Sequence, residues 1–265
     1  MPPPPCPPPP RANILGVGVS AIQMAQALDQ IACWIDHDIR TYVVVCPVYT
    51  VMVCQEDAHF RSVVNRAGMV TPDGMPLVFL SRRMGYRHVS RVYGPDLMFA
   101  ASELSAQKGY ANFYYGGAAG VPEQLAEMFT RRCPGLRVTG AYSPPFRALT
   151  PEEDESIVDR INAASPDIVW VALGSPRQDL WMAEHRDRLN APVLIGVGAA
   201  FDFHTGRIRQ APRWMQRSAL EWLFRLMTEP RRLWRRYLIY NPKFLFHISL
   251  QLLGLRAYPL DDRAE

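Results

Sequence analysis

Asp73 is the residue of this chain best placed to act on a substrate. It lies in the segment Val70-Thr71-Pro72-Asp73-Gly74, where a short apolar strand is expected to break into a turn. Pro72 fixes its own φ and Gly74 leaves the backbone free, so the Asp73 carboxylate should project from a tight corner. Open α/β sheets carry their active sites at the carboxyl ends of such strands. The alternative is a turn Asp that only satisfies its own backbone, which an isolated Asp-Gly would favour.

Three glycine-bearing turns at predicted strand ends could bind a nucleotide. They are Tyr115-Gly116-Gly117, Leu173-Gly174-Ser175-Pro176 and Gly196-Val197-Gly198-Ala199. Each would present backbone N–H groups and a helix N-terminus at one edge of a sheet, which suits a phosphate. For any one of them a simple tight turn is the more common role, but three turns on one edge with Asp73 favour a nucleotide-type ligand. Gly16-Val17-Gly18 is discounted as a dinucleotide motif because it lacks the third glycine and the acidic residue that closes the next strand.

The elements that would position these turns alternate along the chain. Strands are predicted at 13–19, 41–46, 69–70, 112–115, 136–141, 167–173 and 191–197. Helices are predicted at 21–34, 96–108, 121–132 and 151–163, in a region ending at Asn65, and after Pro176. Strands that alternate with helices of about 10–15 residues predict βαβ units. The expected fold is therefore α/β and Rossmann-like, with a mostly parallel sheet covered by helices on both faces.

Composition limits the classes of protein to which the chain can belong. With 265 residues, of which 48% are hydrophobic, it can bury one sizeable core and carry appendages. Its cysteines are Cys6, Cys33, Cys46, Cys54 and Cys133. Their odd number and the absence of a Cys-x-x-Cys pair predict reduced cytoplasmic thiols, without a zinc site or a disulfide. No apolar run long enough to span a bilayer and no signal peptide are expected.

Several further motifs occur in a fixed order after Thr71-Pro72-Asp73-Gly74. They are Arg91-Val92-Tyr93-Gly94-Pro95-Asp96-Leu97, Gly174-Ser175-Pro176-Arg177-Gln178-Asp179, Gly196-Val197-Gly198-Ala199-Ala200-Phe201-Asp202, Ala211-Pro212-Arg213-Trp214, Leu220-Glu221-Trp222-Leu223-Phe224-Arg225, Glu229-Pro230-Arg231-Arg232 and Arg235-Arg236-Tyr237. In this combination the chain resembles the WecG/TagA/CpsF family of bacterial glycosyltransferases, over roughly residues 13–244.

The resemblance implies a hexosyltransferase. Such an enzyme would move an N-acetylmannosamine-type or related sugar from a UDP-sugar to a polyprenyl-diphosphate-linked sugar acceptor. The reaction would belong to cell-envelope or exopolysaccharide biosynthesis, and the protein would lie in the cytoplasm, peripherally on the inner face of the cell membrane. The resemblance also implies inversion at the anomeric carbon and no cofactor or metal ion besides the UDP-sugar donor.

The resemblance makes Asp73 the catalytic base. An acceptor hydroxyl is a weak nucleophile, so a carboxylate within hydrogen-bond reach should remove its proton during attack. The leaving diphosphate needs counter-charge. Because Asp36-His37-Asp38 lies away from the predicted sheet edge, arginines and backbone amides are expected to supply that charge in place of a metal ion. Arg91 is the second expected catalytic residue, and a surface Arg before a helix is the alternative.

Further residues are expected to bind the substrates. They are Thr71, Gly116, Gly117, Gly174, Gln178, Gly198, Asp202, Arg225, Arg231, Arg232 and Arg235. The Gln178 amide could read a sugar or a base edge, or form only a hydrogen bond at the start of its helix. Asp202 could accept from uracil or sugar, or cap its own loop. The four arginines are diphosphate candidates because the family's tail is thought to complete the pocket.

One departure from the family pattern concerns the second predicted strand. Family members carry a Thr-x-Asn element at its end, whereas this chain has Val45-Cys46-Pro47-Val48-Tyr49. The family's Gln-Glu pair is Gln178-Asp179 here. The first change leaves open which donor sugar is used and whether the protein is a catalytically altered nucleotide-sugar-binding protein.

The C-terminal segment is basic and amphipathic. Residues 207–243 contain ten Lys or Arg and two acids, although the whole chain carries only +4. On a helical wheel Arg231, Arg232, Arg235 and Arg236 fall within one arc, and the run 244–253 is apolar but too short to span a bilayer. This pattern predicts an anchor on an anionic membrane surface. A core-packed helix with a solvated basic face is the alternative, and an exposed apolar tail could also be covered in a homo-oligomer.

Four regions follow from these patterns. They are a disordered Pro-rich leader at 1–10, an α/β glycosyltransferase core at 11–206, a basic amphipathic helical appendage at 207–254 that associates with the membrane, and a tail at 255–265. Nucleic acid is not an expected partner, because the basic stretch lacks interleaved aromatic platforms or a recognised module.

Overall fold

The structure, a computed structural model, describes residues 5–260. The first four residues of the predicted leader and residues 261–265 of the predicted tail lie outside this range. Backbone contacts divide the chain into two compact units. Of the described residues, unit 1 comprises 5–8, 25–44 and 94–208, and unit 2 comprises 9–24, 45–93 and 209–260.

Strands and helices alternate through most of the chain. The strands are β1 (Arg11–Ile14), β2 (Val17–Ser20), β3 (Thr41–Cys46), β4 (Met69–Pro72), β5 (Ala111–Gly116), β6 (Arg137–Tyr142), β7 (Ile168–Ala172) and β8 (Val193–Gly196). The helices are α1 (Met24–Asp36), α2 (Val48–Glu56), α3 (Ala58–Arg66), α4 (Met75–Arg83), α5 (Gly94–Lys108), α6 (Val121–Arg132), α7 (Pro151–Ala163), α8 (Arg177–His185), α9 (Ala200–His204), α10 (Arg213–Arg217), α11 (Glu221–Thr228), α12 (Pro230–Trp234) and α13 (Tyr240–Leu252). A π-helical segment, Arg235–Ile239, joins α12 to α13.

The main sheet has six strands in the order β4-β3-β8-β7-β5-β6. The pairs β3/β8, β8/β7, β7/β5 and β5/β6 are all parallel. Unit 1 contains β3 as far as Val44 together with β5 to β8, whereas β4 and the last two residues of β3 belong to unit 2. The predicted α/β fold with a mostly parallel sheet is confirmed.

The core of unit 1 follows from continuous apolar strands. Every residue of β5, β7 and β8 is buried, as expected for a parallel sheet flanked by helices. The buried Asn112 accepts a hydrogen bond from Trp170 Nε1 at 2.8 Å, so neither polar group is left unsatisfied in the core. A capping box between Thr150 and Glu153 begins α7 and satisfies its first free N–H groups.

Unit 2 begins with an antiparallel hairpin, where a single strand at 13–19 was predicted. That prediction is wrong because Leu15 and Gly16, with φ of 52° and 75°, turn the chain between β1 and β2. Positive φ at both central residues is the geometry of a tight hairpin turn. The hairpin is tied to α13, since Gln251 accepts from Leu15 N at 2.9 Å and donates to Asn13 O at 2.8 Å.

Two other local features differ from expectation. Helix α4 begins two residues after Asp73, although no helix was predicted there. The intervening Gly74 has an extended backbone, with φ of −99°, and does not use the left-handed conformation. Asp73 therefore lies between the end of a strand and the start of a helix, as in a βα turn.

Cys6 and Cys33 form a disulfide, with an S–S distance of 1.98 Å. The expectation of reduced thiols throughout the chain is wrong for this pair, and Cys46, Cys54 and Cys133 are free and buried. The pairing could not be deduced from spacing, because Cys6 lies in the Pro-rich segment and Cys33 lies on α1. Cys6 is itself buried within unit 1.

Candidate active site

Unit 2 contains a cavity of about 350 Å³. Its wall combines the junction between β3 and α2, the β4–α4 turn, the loop before α5 and the C-terminal helices. The lining residues are Pro47, Val48, Tyr49, Asp73, Gly74, Met75, Pro76, Arg91, Gln216, Ala219, Glu221, Trp222, Arg225, Arg236, Tyr237, Asn241, Phe244 and Leu245. The cavity thus brings together the predicted residues Asp73, Arg91 and Arg225, which are far apart in sequence.

The backbone fixes the position of Asp73. Its N–H donates to Cys46 O at 3.2 Å, so the end of β4 stays beside the end of β3. Val92 N donates to Pro72 O at 3.1 Å, which holds the loop of Arg91 against the same strand end. Thr71, two residues earlier, is fully buried and does not line the cavity.

Arg91 is the centre of a polar network in the cavity wall. Its Nε donates to the Asp73 carbonyl oxygen, its Nη2 donates to Glu221 Oε2 at 2.5 Å and its Nη1 lies 3.5 Å from Gln216 Oε1. Tyr93 OH donates to Glu221 Oε1 at 3.1 Å. Burial disfavours the charge of Arg91, but the carboxylates of Asp73 and Glu221 outweigh it and raise the Arg91 pKa. Burial, and then the Glu221 charge, raise the pKa of Tyr93, so it remains a phenol donor.

A second cationic group is formed by Arg225 and Arg236. Arg236 lies in the π-helical segment, and its guanidinium carbon is 4.5 Å from the centre of the Tyr49 ring. Its Nε is buried and has no hydrogen-bond partner among the described residues. Burial lowers the pKa of Arg236, and the positive charge of Arg225 acts in the same direction. Arg225 Nη2 lies 3.8 Å from Glu229 Oε1, so part of its charge is already balanced. Both arginines line the cavity, and their like charges favour an anionic ligand there.

The other arginines proposed from the sequence lie outside the cavity lining. Arg231, Arg232 and Arg235 are exposed. Arg232 forms an ion pair with Glu229, and the guanidinium of Arg235 lies 5.2 Å from the Trp234 ring centre. The sequence interpretation missed the cavity positions of Glu221, Trp222, Arg236 and Tyr237, although all four lie in motifs that carried the family resemblance.

The remaining predicted site residues belong to unit 1. Gly174, Gln178 and Gly198 are in contact there, since Gln178 Oε1 accepts from Gly174 N at 3.1 Å and lies 3.4 Å from the position of a Cβ on Gly198. Gln178 is 3% exposed, and its hydrogen bond is the helix-start contact considered as the simpler alternative. A Cβ on Gly116 would lie 2.6 Å from the Ala172 carbonyl oxygen, so close strand packing requires that glycine.

Gly117 and Asp202 have local partners in unit 1. Gly117, with φ of 75°, donates its N–H to Ala172 O at 2.8 Å. Asp202 lies on the five-residue helix α9, and its Oδ1 is 3.6 Å from Arg207 Nε. Next to Gln178, Asp179 is fully buried. Burial raises the pKa of Asp179 to about 7, although the side chains of Ser175 and Gln178 act in the opposite direction.

The chain was compared with models of known protein families. The model of the glycosyl transferase WecG/TagA/CpsF family matches residues 12–258, and the chain belongs to this family. The resemblance drawn from the ordered motifs is therefore confirmed.

Two relatives from Bacillus bear the same name, N-acetylglucosaminyldiphosphoundecaprenol N-acetyl-beta-D-mannosaminyltransferase. The protein of Bacillus spizizenii strain W23 is 31% identical over 205 residues, which cover 77% of each chain. The protein of Bacillus subtilis strain 168 is 32% identical over 184 residues, which cover 69% of each chain.

Proposed function

We propose that this protein transfers a sugar of the N-acetylmannosamine type from a UDP-sugar to a polyprenyl-diphosphate-linked sugar. The observation that carries the proposal is the cavity of unit 2, where the Asp73 carboxylate shares a wall with Arg91, Arg225 and Arg236. Two family relatives are named for mannosaminyl transfer to a diphosphoundecaprenol-linked sugar. The cavity contains the two kinds of group that such a reaction needs, which are a base and counter-charge for a diphosphate.

The reaction is a single displacement with inversion. The oxygen of an acceptor hydroxyl forms a bond to the anomeric carbon of the donor sugar while the bond from that carbon to the UDP oxygen breaks. The hydroxyl proton moves to the Asp73 carboxylate, and the electron pair of the broken bond leaves with UDP. Asp73 suits this role because backbone hydrogen bonds fix the βα turn on which it lies: Asp73 N donates to Cys46 O, and Val92 N donates to Pro72 O.

The leaving UDP requires positive charge close to its phosphates. Arg225 and Arg236 are the best candidates, because both line the cavity and a bound anion would compensate the charge of Arg236, which burial and the nearby charge of Arg225 disfavour. A guanidinium binds two phosphate oxygens at once, so an arginine pair can take the part that a metal ion plays in other transferases. The proposed reaction therefore needs no metal ion and no cofactor besides the donor.

The C-terminal helices carry the features of a membrane-binding surface. Leu245 and Phe246 are each 63% exposed and Leu253 is 71% exposed, and Arg231 and Arg235 are exposed on the preceding segment. Among residues 5–260, every helix is too short or too polar to cross a bilayer. From the exposed apolar and cationic side chains we expect the protein to bind the inner face of the cell membrane peripherally, beside its lipid-linked acceptor.

The decisive experiment is UDP release by the purified protein. A panel of UDP-sugars is offered with a short-chain lipid-diphosphate-linked sugar, to wild type, to Asp73→Asn and to Asp29→Asn, a control at an exposed carboxylate of α1. Acceptor-dependent release that is retained by the control and lost by Asp73→Asn supports the proposal and identifies the donor. Release that is unchanged in Asp73→Asn removes Asp73 as the base.

The same experiment separates the proposal from a binding-only function. Where the family carries Thr-x-Asn, this cavity is lined by Pro47, Val48 and Tyr49, which offer fewer polar groups. UDP binding by calorimetry without release for any donor would favour a nucleotide-sugar-binding protein and would overturn the proposed transfer.

A further inference from the structure

All three nitrogens of the Arg91 guanidinium face acceptors from the protein itself. These acceptors come from the β4–α4 turn (Asp73 O), from α10 (Gln216 Oε1) and from the first residue of α11 (Glu221 Oε2). The guanidinium carbon also lies 3.9 Å from the centre of the Tyr93 ring. Arg91 therefore holds three protein groups together, which uses three of the five N–H groups of its guanidinium.

Glu221 is engaged in the same way from the opposite side. One carboxylate oxygen accepts from Arg91 and the other accepts from Tyr93 OH, at 2.5 Å and 3.1 Å. The Arg91 and Glu221 side chains are only 15% and 16% exposed. Removing one partner of such a pair leaves the other charge poorly solvated, so the two side chains should act as a unit.

Glu221 also shares a helix with a diphosphate candidate. Glu221 and Arg225 are four residues apart on α11 and therefore lie on one face of that helix. The chain of contacts runs from Arg225 through α11 to Glu221, then to Arg91 and to the Asp73 carbonyl. The position of the base relative to the counter-charge thus depends on the Glu221–Arg91 pair.

We propose that Glu221 is a positioning residue, which fixes Asp73 relative to the arginines of the C-terminal helices by holding Arg91. The inference rests on the proposed transferase function. It assigns Arg91 to positioning the base and leaves the diphosphate to Arg225 and Arg236. The alternative is that Glu221 only fastens the C-terminal helices to the rest of unit 2. In that case, removing another comparable contact of those helices should reduce activity as much as removing Glu221.

Glu56 provides a matched control for that simpler role. Its carboxylate accepts from Tyr240 OH at 2.8 Å and from Lys243 Nζ at 2.9 Å, and so ties α13 to α2 within unit 2. Like Glu221, it joins one tyrosine and one cation to a C-terminal helix. Unlike Glu221, it does not line the cavity.

The test compares Glu221→Gln, Arg91→Gln, the double variant and Glu56→Gln in the full-length protein. We expect each single change at the pair to lower kcat about 100-fold, the cost of a base misplaced by about 1 Å, with the KM for the donor nearly unchanged. The double variant should be no worse than the poorer single variant, because the two residues act together. Glu56→Gln should stay within about twofold of wild type.

Hydrogen exchange tests the positioning without relying on turnover. The Asp73 amide, which donates to Cys46 O, should exchange about tenfold faster in Glu221→Gln and in Arg91→Gln than in wild type or Glu56→Gln. Unchanged exchange at Asp73, or losses in kcat that multiply in the double variant, would overturn the inference. A wild-type protein without turnover would count against the proposed function, and the exchange rates alone would then decide whether Glu221 positions Asp73.

Discussion

Replacing Arg236 by Met should make the protein more stable and a poorer binder of UDP. The buried Nε of Arg236 has no hydrogen-bond partner among the described residues, and its charge is disfavoured by burial and by Arg225. A buried donor without a partner costs about 1–3 kcal/mol. Loss of the contact with the Tyr49 ring offsets about 0.5–1 kcal/mol of this, and Met keeps most of the apolar stem. We expect a net gain of about 1 kcal/mol, or about 2–4 °C in Tm.

The same change should remove charged hydrogen bonds to a diphosphate. Each such bond contributes about 1.5–3 kcal/mol, so the Kd for UDP should rise about 10- to 100-fold. Calorimetry with UDP and thermal unfolding without ligand measure the two effects on the same samples. Arg235→Met is the control, because Arg235 is the adjacent residue of the π-helical segment but is exposed and outside the cavity lining.

The opposite signs of the two effects make the reasoning refutable. An Arg236→Met protein that unfolds at a lower temperature and binds UDP as wild type does would show that Arg236 is a structural residue. Equal losses of UDP affinity in Arg236→Met and Arg235→Met would show that general positive charge, and not the cavity position, attracts the ligand.

Three further predictions concern other parts of the protein. Because burial raises the pKa of Asp179 from 3.8 to about 7, the folded state keeps a proton that the unfolded state has lost. Stability should therefore fall by up to about 1.4 kcal/mol per pH unit between pH 4 and pH 7, and urea midpoints of Asp179→Asn should lack this component. The guanidinium of Arg186 donates to four backbone carbonyls, including those of Thr41 and Leu189. Replacing Arg186 by Met should therefore lower the free energy of unfolding by about 3 kcal/mol, and Arg40→Met, at an exposed position, is the control. Replacing Phe246 and Leu253 together by Ser should lower binding to vesicles of anionic lipid at least about tenfold in a sedimentation assay, and unchanged binding would exclude this face as the membrane contact.

The α/β fold could be predicted because its signals are local and repeated. The apolar strand β3 and the helices α6 and α7 have the bounds that the pattern predicts. The hairpin was missed because Leu15 is not a residue type that signals a turn. Helix α4 was missed because Pro72-Asp73-Gly74 precedes it and Pro76 lies in its first turn, and such a run of Pro and Gly is typical of a longer loop.

The candidate site could be predicted only where residues lie in recognisable motifs. Asp73, Arg91 and Arg225 were named from the sequence, and the structure lines one cavity with all three. Their catalytic and binding roles stay predictions. The position of Arg236 could not be found on a helical wheel, because the wheel assumes α-helical spacing and the π-helical segment changes the phase after Trp234. The partnership of Glu221 with Arg91 depends on a tertiary contact across 130 residues, which no local pattern encodes.

The π-helical segment also determines which changes of length this part of the chain can accept. Before it, Leu233 of α12 is buried; after it, Gln251 of α13 hydrogen-bonds to the β1–β2 hairpin. Deleting one residue from Arg235–Ile239 could restore regular α-helical hydrogen bonds, but it would rotate everything beyond the deletion by about 100° relative to α12. Either Gln251 would leave the hairpin or Leu233 would leave the core. Substitutions should therefore be tolerated at the exposed positions of this segment more readily than any insertion or deletion.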